Sequence, residues 1–187
     1  MNIINFFSKN KFMEKFKNIC FYLSSFIPLY FLIIIKELLE IVNGNLTFNI
    51  TNSIMLAINL LMIVFGIVGF VLNFKSKNYS EIEIIDYKNV TCTNFFPYFP
   101  LFVLFALAFE LQFISMSVVY LLIILMVGIV YVKNELFYVN PFLNIIGFST
   151  YELTYLYAGR KQKTFVFSFS QLKNGKAHLG TNFVKVI

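Results

Sequence analysis

Charge is missing from three long stretches of this chain. Ile19 to Ile35 and Ile54 to Phe74 carry none, and Phe95 to Val132 carries only Glu110. Crossing ~30 Å of hydrocarbon takes about 20 helical residues, within a range near 17–25. The second stretch fits as it stands, and the first does so by running on through Lys36 and Glu37 to Val42. The third would be ~57 Å long as one helix at ~1.5 Å per residue, so it must fold back as a hairpin with its turn in Leu111 to Ser117. The pattern predicts an α-helical integral membrane protein with four transmembrane helices, at residues 19–42, 54–74, 95–111 and 116–132.

Outside the spans the apolar period changes to two. In the insert at residues 75–94, Ile82 and Ile84 alternate with Glu81 and Glu83, and a second short strand is expected from Tyr87 to Thr91. In residues 133–187, Tyr151, Leu153, Tyr155 and Tyr157 share one strand face, and Phe165, Phe167 and Phe169 share another. "AGRKQ" and "NGK" are turn signals, and "NFVKVI" reads as a closing strand whose edge is open to pairing. The expected product is a three-stranded meander joined by the insert. Three or more strands with a buried face stand alone where a hairpin does not, so one small cytoplasmic β-rich lobe is the economical solution.

"NPFLNIIG", Asn140 to Gly147, connects the last span to that lobe. Pro141 lacks an amide hydrogen and pushes Asn140 away from helix, which is expected to stop the span-four helix or its extension. Gly147 permits a bend that other residues resist.

Composition agrees with lipid as the solvent. The 187 residues are 59% hydrophobic and 13% charged, against about 45–50% and about 25% in soluble domains. Lys and Arg cluster in the basic segment 1–18, in the insert and after span four, and neither proposed outer loop has any. That asymmetry puts both termini and the lobe in the cytoplasm. The formal charge of +6 then faces anionic lipid, so direct nucleic-acid binding is not needed to explain it. Phe6, Phe7, Phe12 and Phe16, set among lysines, suggest a short interfacial helix before span one.

Catalytic chemistry is not legible. The single histidine, His178, falls in an expected loop, Cys20 and Cys92 are too few for a zinc site, and no metalloprotease, nucleophile-elbow or phosphate-loop motif occurs. The expectation is a non-enzyme with no metal or cofactor. Three intramembrane polar residues stand out. Glu110 either pairs with Lys36 or rings the mouth of an oligomeric pore, and Asn59, with Gly66 and Gly69, supports helix packing and self-association. Arg160, Lys161 and Lys163, with Glu152 nearby, form either a docking surface for a soluble partner or a solvated, lipid-facing edge.

The order Asn140, Pro141, an apolar run, Gly147, Phe148, then Tyr151 and Glu152 resembles a recurrent segment of the membrane component of the Kiwa antiphage defence system, the KwaA family. The four-span layout and the polar insert match the same pattern. The resemblance implies a non-enzymatic sensor in the bacterial inner membrane, assembled as a homo-oligomer and working with a cytoplasmic DNA-binding effector of the KwaB type. A pore-forming effector or holin-like protein that depolarises the membrane is the alternative. A carrier is disfavoured by the lack of broken-helix polar residues at mid-membrane.

Overall fold

The structure, a computed structural model, describes residues 3–44, 50–75, 80–95, 99–108, 110, 113–180 and 182–186. The proposed outer loops fall partly on 45–49 and 111–112, and Lys77 on 76–79, outside the described residues. The elements in chain order are helices α1 (Ile3–Ser25), α2 (Ile27–Val42) and α3 (Ile50–Phe74), strand β1 (Ser80–Asn89), and helices α4 (Thr91–Phe95), α5 (Phe99–Ala108) and α6 (Ile114–Lys133). A 3-10 turn (Leu136–Tyr138), helix α7 (Pro141–Ile145) and strands β2 (Ser149–Tyr157), β3 (Arg160–Ser168), β4 (Gly175–Leu179) and β5 (Val184–Val186) complete the chain.

Helices α3 and α6 are long and apolar enough to cross a membrane, and Met13–Ser25 with Ile27–Val42 makes a third such span, bent by 51°. The first expected span, 19–42, is therefore broken at Phe26. Pro28 in the first turn of α2 is the cause, because its ring displaces the carbonyl one turn back and it donates no hydrogen bond. No separate interfacial helix precedes it, since α1 runs unbroken from Ile3. Within the segment expected at 95–111, Phe95 ends α4 and Phe99–Ala108 forms α5, while 96–98, 109 and 111 lie outside the described residues. Helix α6 begins at Ile114, so the later part of the expected turn, Ile114 to Ser117, is helical. Helix α5 leans on α2, and an apolar cavity of about 260 Å³ lies between Phe102 and Phe105 of α5 and Val127, Val130 and Tyr131 of α6.

Helices α1 and α3 cross closely because α3 presents no side chain there. A Cβ on Gly69 would lie 2.2 Å from the Cys20 carbonyl carbon, and one on Gly66 would lie 3.0 Å from Ser24 Cα. These glycines are consumed inside one chain, which removes them as an approach site for self-association. Cys20 is buried at this crossing.

The sheet is antiparallel, in the order β3-β2-β1-β4-β5. It is not a meander: the insert strand β1 sits at the centre, pairing with β2 over Glu83–Asn89 and with β4 over Ser80–Ile84. One long strand replaces the two short ones expected, and a bulge between Ile84 and Asp86 bends it. The bend brings the sheet edges together, where the Phe167 amide donates to the Asn182 carbonyl at 2.8 Å and Phe167 bridges Phe183. Ile82, Ile84, Tyr151, Leu153, Tyr155, Val166, Ala177 and Val184 fill the interior of the curled sheet. The β2–β3 turn has positive φ at Ala158 (48°) and Gly159 (75°), the hand that matches strand twist in a two-residue hairpin. His178, expected in a loop, lies in β4 opposite Glu81 and Lys185.

Candidate functional site

The break in the first span creates polar business in an apolar place. Ser24 Oγ donates to the Phe21 carbonyl at 2.6 Å, and it accepts from Asn140 Nδ2 at 2.8 Å. Next to it, Ser25 Oγ and Tyr131 OH lie 2.9 Å apart. Tyr131 gives its one proton to the Val139 carbonyl at 3.0 Å, so Ser25 is the donor. Thus α1, α6 and the connector are fastened at the bend by hydrogen bonds buried from both water and lipid.

The connector is a complete five-residue helix with both caps. Asn140 is the N-cap, its Oδ1 accepting from the Leu143 amide at 3.2 Å, and Pro141 occupies the first helical position. Gly147, at φ 99°, takes the left-handed position. Its amide donates to Asn144 (3.2 Å) and that of Phe148 to Leu143 (2.9 Å), the Schellman pattern, while Phe148 packs in the same cluster as Leu143. Asn140-Pro141 therefore starts a helix; it does not stop span four, which ends at Lys133. Beyond Phe148 the chain enters the sheet, pinned by Thr150: its amide donates to the Thr91 hydroxyl oxygen at 2.9 Å, and its Oγ1 donates to Asn144 Oδ1 at 3.2 Å.

Phenylalanines make the rest of the joint. Phe183, just before β5, lies 5.4 Å from Phe74, 5.6 Å from Phe148, 5.8 Å from Phe167 and 6.3 Å from both Phe21 and Phe70, ring centre to ring centre. Edge-on and tilted rings at such distances attract beyond the area they bury. Phe183, at the head of the closing strand, is pressed between β3 and the helices.

The remaining candidates separate. Strand register puts Lys161, Lys163 and Glu152 on one face of β2–β3 and Arg160 on the other, beside Tyr157. Lys163 Nζ bonds Glu152 Oε1 at 2.7 Å. Both line a recess of about 590 Å³ between lobe and helices, along with Glu14, Asn18, Glu135, Tyr138 and Phe165. Tyr151 is inside the lobe. Lys36 Nζ donates to the Leu107 carbonyl at 3.3 Å, and Glu110 is exposed.

Asn59 is fully buried, donating to the Met55 carbonyl (2.9 Å) and accepting from Tyr120 OH (2.7 Å). It too is spent within the chain. Sequence reasoning missed Ser24, Ser25, Thr91 and Thr150, although "SSFIP", two serines and a proline within an apolar run, was a visible signal. It also missed Glu37, which is 4% exposed with Oε2 unpartnered among the described residues. Among the described residues, no three His, Cys, Asp or Glu side chains gather as a metal ion would require.

The family description "Anti-phage protein KwaA" matches residues 17–187. The chain belongs to the KwaA family. The match covers the bend, connector and lobe, and the family is one of anti-phage defence proteins. No curated protein and no solved structure matches the chain.

Proposed function

We propose that this member of the KwaA family is a non-enzymatic inner-membrane sensor and scaffold, which couples its helices to a cytoplasmic lobe that holds a soluble effector. The observation that carries the reading is the joint. Ser24 at the bend of the first span bonds Asn140 of the connector, and Phe183 of the lobe is wedged against Phe21, Phe70 and Phe74 of α1 and α3. A change of bend at Phe26 has a short, packed route to the sheet, because dense interiors transmit displacement. In this reading the chain makes four passes, with α5 and its flanking residues as the third, and the Lys/Arg asymmetry places both termini in the cytoplasm. Self-association, which the family likeness implies, then uses surfaces of α3 and α6 other than Gly66, Gly69 and Asn59.

The effector docks on the face carrying Lys161 and Lys163. Strand addition is disfavoured, since Phe183 already meets β3 and lysines along an edge oppose further pairing. The test is phage protection and effector co-purification from cells carrying the whole defence system. Lys161→Glu with Lys163→Glu should abolish capture of the effector while membrane insertion is unchanged, and Arg160→Glu should not. Phe183→Leu should keep insertion and capture but lower protection. Full capture by the double reversal would refute the docking face.

A further inference from the structure

On the face of α1 next to the recess, a groove of about 720 Å³ runs between α1, α3 and α6. Its walls are Ile19, Met62, Leu125 and Ile129, and its mouth carries Lys15 and Lys133. The floor is Tyr22 lying against Gly128, where a Cβ would come within 2.8 Å of the tyrosine ring. The Tyr22 hydroxyl donates to the Ile124 carbonyl, so the floor offers no spare polar atom. The described lining holds no carboxylate: Glu14 and Glu135, neighbours of the two lysines in sequence, line the recess instead.

An apolar groove with two ammonium groups at one end has a preferred occupant. From Leu121 to Lys133 it follows α6 for ~18 Å at ~1.5 Å per residue, close to half of the ~30 Å hydrocarbon core. That is the depth of one leaflet. A phosphate alone leaves the apolar length empty, and a second copy of this chain brings the same two lysines and a charge of +6. We propose that the groove binds one anionic phospholipid of the leaflet beneath the lobe, its phosphate against Lys15 and Lys133 and an acyl chain along α6. The inference rests on the reading that α3 and α6 cross the bilayer.

The experiment starts with carbonate extraction of membranes, which tests that reading by itself. Full-length protein in mild detergent is then titrated with dioleoyl phosphatidylglycerol or dioleoyl phosphatidylethanolamine and examined by native mass spectrometry. At about 1 kcal/mol per lysine near an anionic headgroup, and ~1.4 kcal/mol per tenfold, the glycerol lipid should be held roughly 30-fold more tightly. Lys15→Gln with Lys133→Gln should erase that preference, Leu125→Trp should reduce retention of both lipids, and glycerol phosphate should not compete. Unchanged preference in the double variant, or displacement by glycerol phosphate, overturns the proposal. So does an efficient disulfide-linked dimer through Leu125→Cys in a Cys92→Ser background, which would show a second copy covering the groove. A chain that resists carbonate yet shows no lipid preference sinks this inference alone, and release by carbonate sinks both.

Discussion

Asn140 Nδ2 reaches Ser24 Oγ at 2.8 Å across 116 positions of sequence, joining the connector helix to the bend of the first span. Both side chains are buried, at 1% and 0% exposure. Each also has a local duty: Asn140 caps α7, and Ser24 takes up the Phe21 carbonyl next to the bend. One hydrogen bond therefore ties these two local structures directly, beside the packing of Phe21 against Leu143 and Phe148 in one buried cluster.

The coupling is measurable. Asn140→Ala removes a cap and a buried hydrogen bond, about 1 kcal/mol each, whereas Ser24→Ala removes the same bond and the one that Ser24 Oγ gives to the Phe21 carbonyl. A double-mutant cycle on the detergent-solubilised protein should give a coupling energy of ~1 kcal/mol. Strict additivity would mean that the two residues do not act together.

How far sequence reasoning reached is clearest along this joint. The residues Asn140, Pro141, Gly147 and Phe148 were legible as a connector, because capping and left-handed positions are local chemistry. Their role as the two ends of one helix was not, since five residues carry no periodicity. The lobe was legible from its period of two, but the central place of β1 was not, because strand order is set by which faces must be buried. Pro28 was visible and its effect predictable from backbone sterics alone. The partners of Asn59, Gly66 and Gly69 were beyond reach: residues suited to close packing do not say whether the neighbour belongs to the same chain.

Those glycines differ in what they tolerate. At Gly69 a methyl group would meet the Cys20 backbone at 2.2 Å, which cannot move without parting α1 from α3. At Gly66 two of its three nearest contacts are Ile27 side-chain atoms at 3.1 Å, which can rotate away. Gly69→Ala should cost at least the ~1–3 kcal/mol typical of overpacking and depress membrane yield, with Gly66→Ala the milder. Equal melting temperatures for the two variants would contradict the crossing geometry.

Removing the C-terminal residues from Phe183 onward should dismantle the lobe. Phe183 is 5% exposed and meets five other rings, and burial of that kind is worth ~3–5 kcal/mol on truncation to alanine. Limited proteolysis should cut Phe183→Ala within β3 or β4 while the apolar helices stay protected. A lobe as resistant as the parent would show that the closing strand is dispensable.

Two buried polar side chains in the helices should respond in opposite directions. Tyr120 OH donates to Asn59 Oδ1 at 2.7 Å, and breaking a satisfied bond of this sort within a membrane protein costs ~0.6 kcal/mol on average and up to ~1.7. Tyr120→Phe should therefore lower the melting temperature slightly, because Asn59 stays buried with an empty acceptor. Glu37 starts from the contrary condition, being 4% exposed with Oε2 lacking a partner among the described residues. Replacing an unsatisfied polar group by an apolar one of similar size is close to neutral or stabilising, so Glu37→Leu should leave the melting temperature unchanged or raise it. Phage protection gives the second axis. A stable Glu37→Leu protein that no longer protects would mean the carboxyl is kept for signalling at a cost in stability. Full protection would make it a tolerated leftover of the broken first span. A large loss of stability would show that Glu37 has a structural partner after all and remove it as a candidate for function.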